Sequence, residues 1–227
     1  MSIVTARGKA AKESMAKKSF TIDFKKVYMR LKDGESVRVR LLSTEDYVEY
    51  RSHGSFAHGI YTQPCIKPTG QACAHCEAAS SGEEGFDVLR ARNRYMFAFA
   101  DVDEGILRVF DASKGQALGL IDTIEQYAGD IHDVAFMFKR TGSRKDTVYS
   151  LNPILKLNAK DREKFDQLAD TVVEDSFFEQ VLQPRNREQQ IKELQTAGFP
   201  VTKVFGVTEE EECVPIPPND DAPDSVF

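Results

Sequence analysis

Residues 92–113, RNRYMFAFADVDEGILRVFDAS, decide the fold. The first ten are rich in aromatic and other β-forming residues, Asp103-Glu104-Gly105 is turn chemistry, and GILRVFDAS returns with a second β-forming run. Two such runs about a Gly-containing turn predict an antiparallel hairpin. Upstream, FTIDFKKVYMRL (20–31) leads through the turn Lys32-Asp33-Gly34-Glu35 into SVRVRLL (36–42). There Val37, Val39 and Leu41 alternate with Arg38, Arg40 and Leu42, which predicts a strand with one apolar and one basic face. EDYVEYRSH (45–53) continues in β-formers until a cysteine-bearing stretch interrupts it. Downstream, Leu118, Ile121, Ile124 and Tyr127 predict a helix that stops at Gly129. DVAFMFKRTGSRKDTVYSLNPILKL (133–157) then reads as two strands about a basic turn. Five or six strands with one helix and long excursions give a mainly β, α+β chain: a small antiparallel barrel or curled sheet.

From Asn158 the pattern turns helical, with one helix expected in NAKDREKFDQLADTVVED and a second between Pro184 and Gly198. The domain reading is a basic N-terminal arm over 1–19, a barrel core over 20–157 and a helical segment over 158–206. An acidic tail over 207–227, with four consecutive Glu and four Pro, is expected to be disordered. At 227 residues with 41% hydrophobic content the chain can furnish a core. It has no run of the ~18 apolar residues that a membrane span needs and no apolar secretion signal, so a cytoplasmic location without membrane association is expected. The net charge of −6 hides a segregation: residues 1–40 hold eleven Lys/Arg against four Asp/Glu, whereas 207–227 hold seven acids and no base. Opposite charge at the two ends points to a basic arm and an acidic tail with separate roles.

CIKPTGQACAHC (65–76) gathers three of the four cysteines; Cys213 lies apart and is expected to be a free thiol. In a reducing cytosol such spacing points to metal or redox chemistry ahead of a structural disulfide. Cys73 and Cys76 form a C-x-x-C whose thiolates can converge on one ion, and seven residues separate Cys65 from Cys73. A redox pair would want a βαβ setting and would leave Cys65 unexplained. Zinc is therefore the expected cofactor, with histidine as the natural fourth ligand. His75, between two ligands, should point away from the ion. His53 and His58, with eleven and six residues between them and Cys65, are both feasible. Four protein ligands leave no open position, so the site is expected to be structural.

Basic and aromatic residues interleave in the remaining candidates, the mixture that holds phosphates and stacks unpaired bases. Arg38 and Arg40 line one strand face, and Tyr47, Tyr50, Arg51, Phe56 and Tyr61 lead into and through the cysteine region. Arg92, Arg94 and Tyr95 open the central hairpin, while Lys139, Arg140, Arg144 and Lys145 surround the Thr141-Gly142 turn. Tyr95, Phe97 and Phe99 share a strand face, and such an aromatic stripe is more often core than base platform; Tyr47, Phe56 and Tyr61, nearer the polar knuckle, are expected to be more exposed. A nucleophile–base pair, a phosphate loop and an open metal site are not evident, so a non-enzymatic protein is expected. A zinc-knuckle adaptor acting through protein contacts is the alternative.

The order of a strand, SHGSF (52–56), a cysteine, CAHC (73–76) and a basic aromatic strand resembles the single-stranded DNA-binding, helix-destabilising proteins of T-even and related tailed phages. The match spans roughly residues 20–157. It implies an OB-fold core with a zinc subdomain inserted at about 50–80, whose ligands run His, Cys, Cys, Cys. Matched by motif, those are His53, Cys65, Cys73 and Cys76. It also implies coating of single-stranded DNA in phage replication, recombination or repair within the host cytoplasm. The basic arm would support self-association along DNA, and the acidic tail would contact replication or recombination proteins. The chain is shorter than the T-even protein, and Ala74-His75 replaces the Pro-and-apolar pair often found inside the family's C-x-x-C.

Overall fold

Seven antiparallel strands form one curled sheet in the computed structural model, which describes residues 22–206 apart from the Lys145 side chain. The basic arm, the acidic tail and Cys213 lie outside the described residues. The strands are β1 (Ser36–Arg40), β2 (Tyr47–Ser55), β3 (Ile60–Pro64), β4 (Arg92–Asp101), β5 (Ile106–Ser113), β6 (Ala135–Thr141) and β7 (Val148–Ile154). The expected hairpin is its centre: β4 pairs with β5 from Arg94↔Ser113 to Asp101↔Ile106. Along its other edge β4 forks. Its first half pairs with β2, from Tyr47↔Phe97 to Ser52↔Arg92, and its end pairs with β1, through Val39↔Asp101 and Arg40↔Ala100. β6 and β7 extend the sheet from β1, and β3 extends it from β2.

The sheet curls until β5 and β7 face each other across a gap, with the rings of Phe110 and Tyr149 4.4 Å apart. Residues 28–31, which follow a single-turn helix α1 (Phe24–Val27), bridge that gap. Met29 N donates to Val109 O on β5 (2.8 Å), and Arg140 Nη1 on β6 donates to Leu31 O (2.6 Å). The result is an OB-like half-barrel closed partly by a strap. Val39, Phe97, Phe99, Phe110, Phe136 and Phe138 fill its interior, and helix α2 (Ala74–Ser80) belongs to a separate lobe described below. Helix α3 (Lys114–Gln126) adds Leu120 and Ile124 to the interior and begins with a capping box formed by Ser113 and Gln116. Each large side chain so buried contributes roughly 1.5–3 kcal/mol.

The outer face of β4 is covered as well. Met96, Ala98 and Ala100 pack under α4 (Ala159–Asp166) and α5 (Asp175–Leu182) through Phe165, Phe177, Phe178 and Val181. Burial on both faces explains why MFAFA is apolar without alternation. It also corrects the reading of the β1 basic face, which is neither a solvated surface nor an open phosphate track. Arg40 is 4% exposed, donates to Phe165 O (2.6 Å) and His132 O (3.2 Å), and lies over the Phe165 ring. Arg38 is paired with Asp103 and Asp161.

The helical segment holds four helices instead of the expected two: α4, α5, α6 (Arg187–Thr196) and α7 (Val201–Phe205). The first expected run breaks after Asp166, in a turn that leads into the β-branched Thr171-Val172-Val173, and α5 is closed by Gln183, whose φ is +39°, just before Pro184. Strand β3 and helix α2 also lie where only a polar, turn-rich knuckle was expected. Among the described residues no helix is long and apolar enough to cross a membrane.

Candidate metal centre and adjoining cleft

Four side chains converge beyond the β2–β3 hairpin. His53 Nε2 and the sulfurs of Cys65, Cys73 and Cys76 all lie within 4.8 Å of one another. Cys73 Sγ and Cys76 Sγ are 3.4 and 3.6 Å from His53 Nε2, and Cys65 Sγ is 3.5 Å from Cys76 Sγ. A tetrahedral ion with metal–sulfur bonds of ~2.3 Å requires sulfur–sulfur edges of about 3.8 Å, so three of the six edges already have that scale. The histidine is oriented for the task. Its Nδ1 lies 2.6 Å from Leu89 O and donates to it, which fixes the ring with Nε2 turned to the sulfurs.

The local sequence explains the convergence. His53 ends the regular register of β2 beside a bulge between His53 and Ser55, which turns the strand toward the loop that carries Cys65. Cys73 is the N-cap of α2 and Cys76 lies in its first turn, so helical geometry brings both sulfurs to one side.

Electrostatics makes the cluster uncomfortable without a cation. Burial raises all three thiols, and Cys76 is pushed to about 12 by burial and then by its sulfur neighbours. At Cys73 the imidazoles of His53 and His75 outweigh burial and hold the thiol down to about 4. One thiolate with two thiols held protonated is the arrangement that a divalent ion would convert to three thiolates.

The other two nearby histidines are placed elsewhere. His58 stacks on Phe86 (4.3 Å between centroids) and its Nδ1 lies 2.8 Å from Ser55 Oγ. His75 is fully buried, tilted against the His53 ring, with Nε2 3.1 Å from the Glu193 carboxylate. The lobe also has an apolar core of its own: Ile60, Ala74, Ala78, Phe86 and Leu89 pack against Leu194 of α6, Val201 of α7 and Phe199 between them. Apolar packing therefore orders this stretch as well as any metal would.

A cleft of about 560 Å³ lies between the half-barrel and this lobe. Tyr28, Arg30, Tyr50, Tyr61, Arg140 and Tyr149 line it, with Thr62, Gln63 and Pro64 of β3 on the lobe side. Tyr50 Oη donates to Asp111 Oδ1 (2.9 Å), which also accepts from Arg94 Nε (2.8 Å), so this arginine braces the cleft wall. Burial and then the Asp111 charge push the Tyr28 phenol up to about 12, and Tyr50 is also raised, first by burial; both rings are neutral at ordinary pH.

Of the residues singled out from sequence, the fold brings Tyr50, Tyr61 and Arg140 into the cleft. Arg92 is exposed on the same sheet face as Tyr50, and Phe56, 71% exposed, meets Tyr61 edge-on at 6.1 Å. Arg51 is exposed on the opposite face, while Tyr95 packs against the interior. Tyr47, expected to be exposed, stacks on Phe97 at 5.3 Å instead. Lys139 is half-buried on β6, and Arg144 is exposed in the β6–β7 turn with φ +53°; the Lys145 side chain lies outside what is described. Tyr28, Arg30 and Tyr149 were missed. The signal for the first two was present: VYMRL alternates buried Met29 and Leu31 with more exposed Tyr28 and Arg30.

Fold and site together define an α+β protein whose OB-like curled half-barrel carries a lobe with a His-Cys-Cys-Cys donor set able to hold a metal ion. No protein-family model matches the chain, and no curated protein matches it.

Proposed function

We propose that this protein binds single-stranded DNA in the cleft between half-barrel and lobe, without strong sequence preference and without catalysis. The observation that carries this reading is the convergence of four tyrosines with Arg30 and Arg140 on one cleft. Neutral aromatic rings give unpaired bases a stacking surface, and guanidiniums hold the phosphates that accompany them. A duplex presents its bases already stacked and paired, so the tyrosines would gain little from it.

Zinc is the metal we assign to the lobe, because three thiolates and an imidazole suit it and leave no coordination position for substrate. His53, Cys65, Cys73 and Cys76 would hold it. The ion supplies a four-way cross-link, while the chain's own residues set the cleft wall: β3, tied through Cys65 N to Arg51 O (2.8 Å), carries Tyr61 to its place. The resemblance to the helix-destabilising proteins of tailed phages agrees with this reading. From it come the OB-fold assignment, a role in phage replication, recombination or repair, the basic arm in self-association and the acidic tail in contacts with replication or recombination proteins.

The test is a fluorescence titration of a labelled oligo-dT against the full chain at low and moderate salt. Binding should be tighter than to duplex and weaken steeply as salt rises. No binding at low salt, or equal affinity for the duplex, would refute the proposal and leave the adaptor reading.

A further inference from the structure

The metal ligands all lie within residues 53–76, yet the lobe that holds them is finished by a helix more than a hundred residues later in the chain. Helix α6 grips α2 at three positions, each beside a ligand. Gln190, fully buried, accepts from Ala74 N through Oε1 (2.8 Å) and donates through Nε2 to Arg185 O (3.0 Å). Glu193 places one carboxylate oxygen 3.1 Å from His75 Nε2 and the other 2.6 Å from Arg185 Nη1. Arg187 makes a two-pronged pair with Glu77, at 2.7 and 2.8 Å.

The first of these contacts has a specific physical reason. Cys73 is the N-cap of α2 and makes no side-chain cap bond, since its sulfur faces the other ligands. The first helical amide, Ala74 N, has no intrahelical carbonyl to bond and lies out of reach of any N-cap side chain, which serves the second or third amide of a helix. Gln190 supplies a partner from another helix. A buried amide without that partner would tilt the helix start to reach another, and tilting the helix start moves Cys73.

We propose that α6 is the second half of the metal centre, with Gln190 and Glu193 as positioning residues that hold the Cys73-x-x-Cys76 turn in ligating geometry although neither touches the ion. The inference rests on the zinc reading above. It makes metal affinity depend on residues outside every cysteine-based motif.

The experiment is a competition between the full-length, zinc-loaded protein and a chromogenic chelator, read as apparent zinc affinity and release rate. Gln190→Met keeps the volume but cannot accept from Ala74 N; Glu193→Gln keeps the shape but removes the charge beside His75. Outer-shell contacts of this kind contribute about 10- to 100-fold to metal affinity. Q190M should therefore weaken zinc at least ~10-fold with its far-ultraviolet spectrum retained, and E193Q should shift affinity in the same direction. Phe177→Leu, in the barrel-covering helix α5, should leave zinc affinity unchanged.

Thermal melts with and without zinc separate positioning from general stability. Q190M should lower the midpoint more in the zinc-loaded protein than in the zinc-free one; if Q190M does not fold, E193Q decides by the same comparison. Wild-type protein that holds no zinc would overturn the metal reading itself. Wild-type protein that holds zinc, with Q190M and E193Q holding it as tightly, would overturn this inference alone.

Discussion

Replacing Tyr61 by alanine tests the proposed cleft most directly, because so exposed a ring contributes little to the folded core. Tyr61 sits on an outer strand of the sheet, 64% exposed, with an edge contact to Phe56. Removing so exposed a ring should change stability by no more than ~0.5 kcal/mol. If one base stacks on it, the loss of binding should be ~1–3 kcal/mol. At about 1.4 kcal/mol per tenfold, that is a loss of affinity of roughly 5- to 150-fold. No phosphate contact disappears, so the slope of log affinity against log salt should remain that of the wild type. Tyr61→Phe keeps the ring and should bind nearly as the wild type does. The assay is fluorescence anisotropy of a labelled oligo-dT at several salt concentrations, with thermal melts to verify folding. Folded Y61A that binds within about twofold of wild type, or that loses affinity for duplex equally, would refute base stacking in this cleft.

Three further expectations follow from the same geometry. Arg30, exposed at the cleft and 6.0 Å from the Tyr28 ring centre, should behave in the opposite way: Arg30→Ala should reduce the salt slope by about 1, and an unchanged slope would remove it from the phosphate path. Arg40→Ala should destabilise the fold by about 2–3 kcal/mol in a denaturant melt, since Phe165 O and His132 O lose their donor; folded R40A should bind DNA like the wild type, and a binding defect without a stability loss would contradict its placement. The thiol pKa values set the pH dependence of the metal. Cys65 is raised, Cys76 is near 12 and Cys73 near 4, so near neutrality the metal-free cluster holds two thiol protons that a bound ion must expel. Zinc affinity should rise with pH by about a hundredfold per unit near neutrality, with about two protons released; a flat profile in a pH series of chelator competitions would contradict the protonation pattern.

The sequence by itself determined the central hairpin, because the β-formers of 92–101 and 106–113 and the Asp-Glu-Gly turn satisfy local rules that need no distant partner. It also determined the donor atoms: C-x-x-C with Cys65 and a nearby histidine is a short-range pattern, and a loop of this length can close on itself. What it could not fix was which histidine joined them, because that depends on where a bulge turns β2 and on the carbonyl of Leu89 that orients the ring. Nor could it tell a basic face from a buried one. Arg38 and Arg40 alternate like exposed residues, but α4, more than a hundred residues further on, brings Asp161 and the Phe165 carbonyl against them. The cleft was decided by tertiary structure in the same way. Tyr28, Tyr61 and Tyr149 come from three separated segments that meet only because the sheet curls and a strap crosses its gap. Patterns that repeat every two or four residues are visible in a chain; the burial of a charge and the convergence of distant rings depend on what packs over them, and the fold alone supplies that.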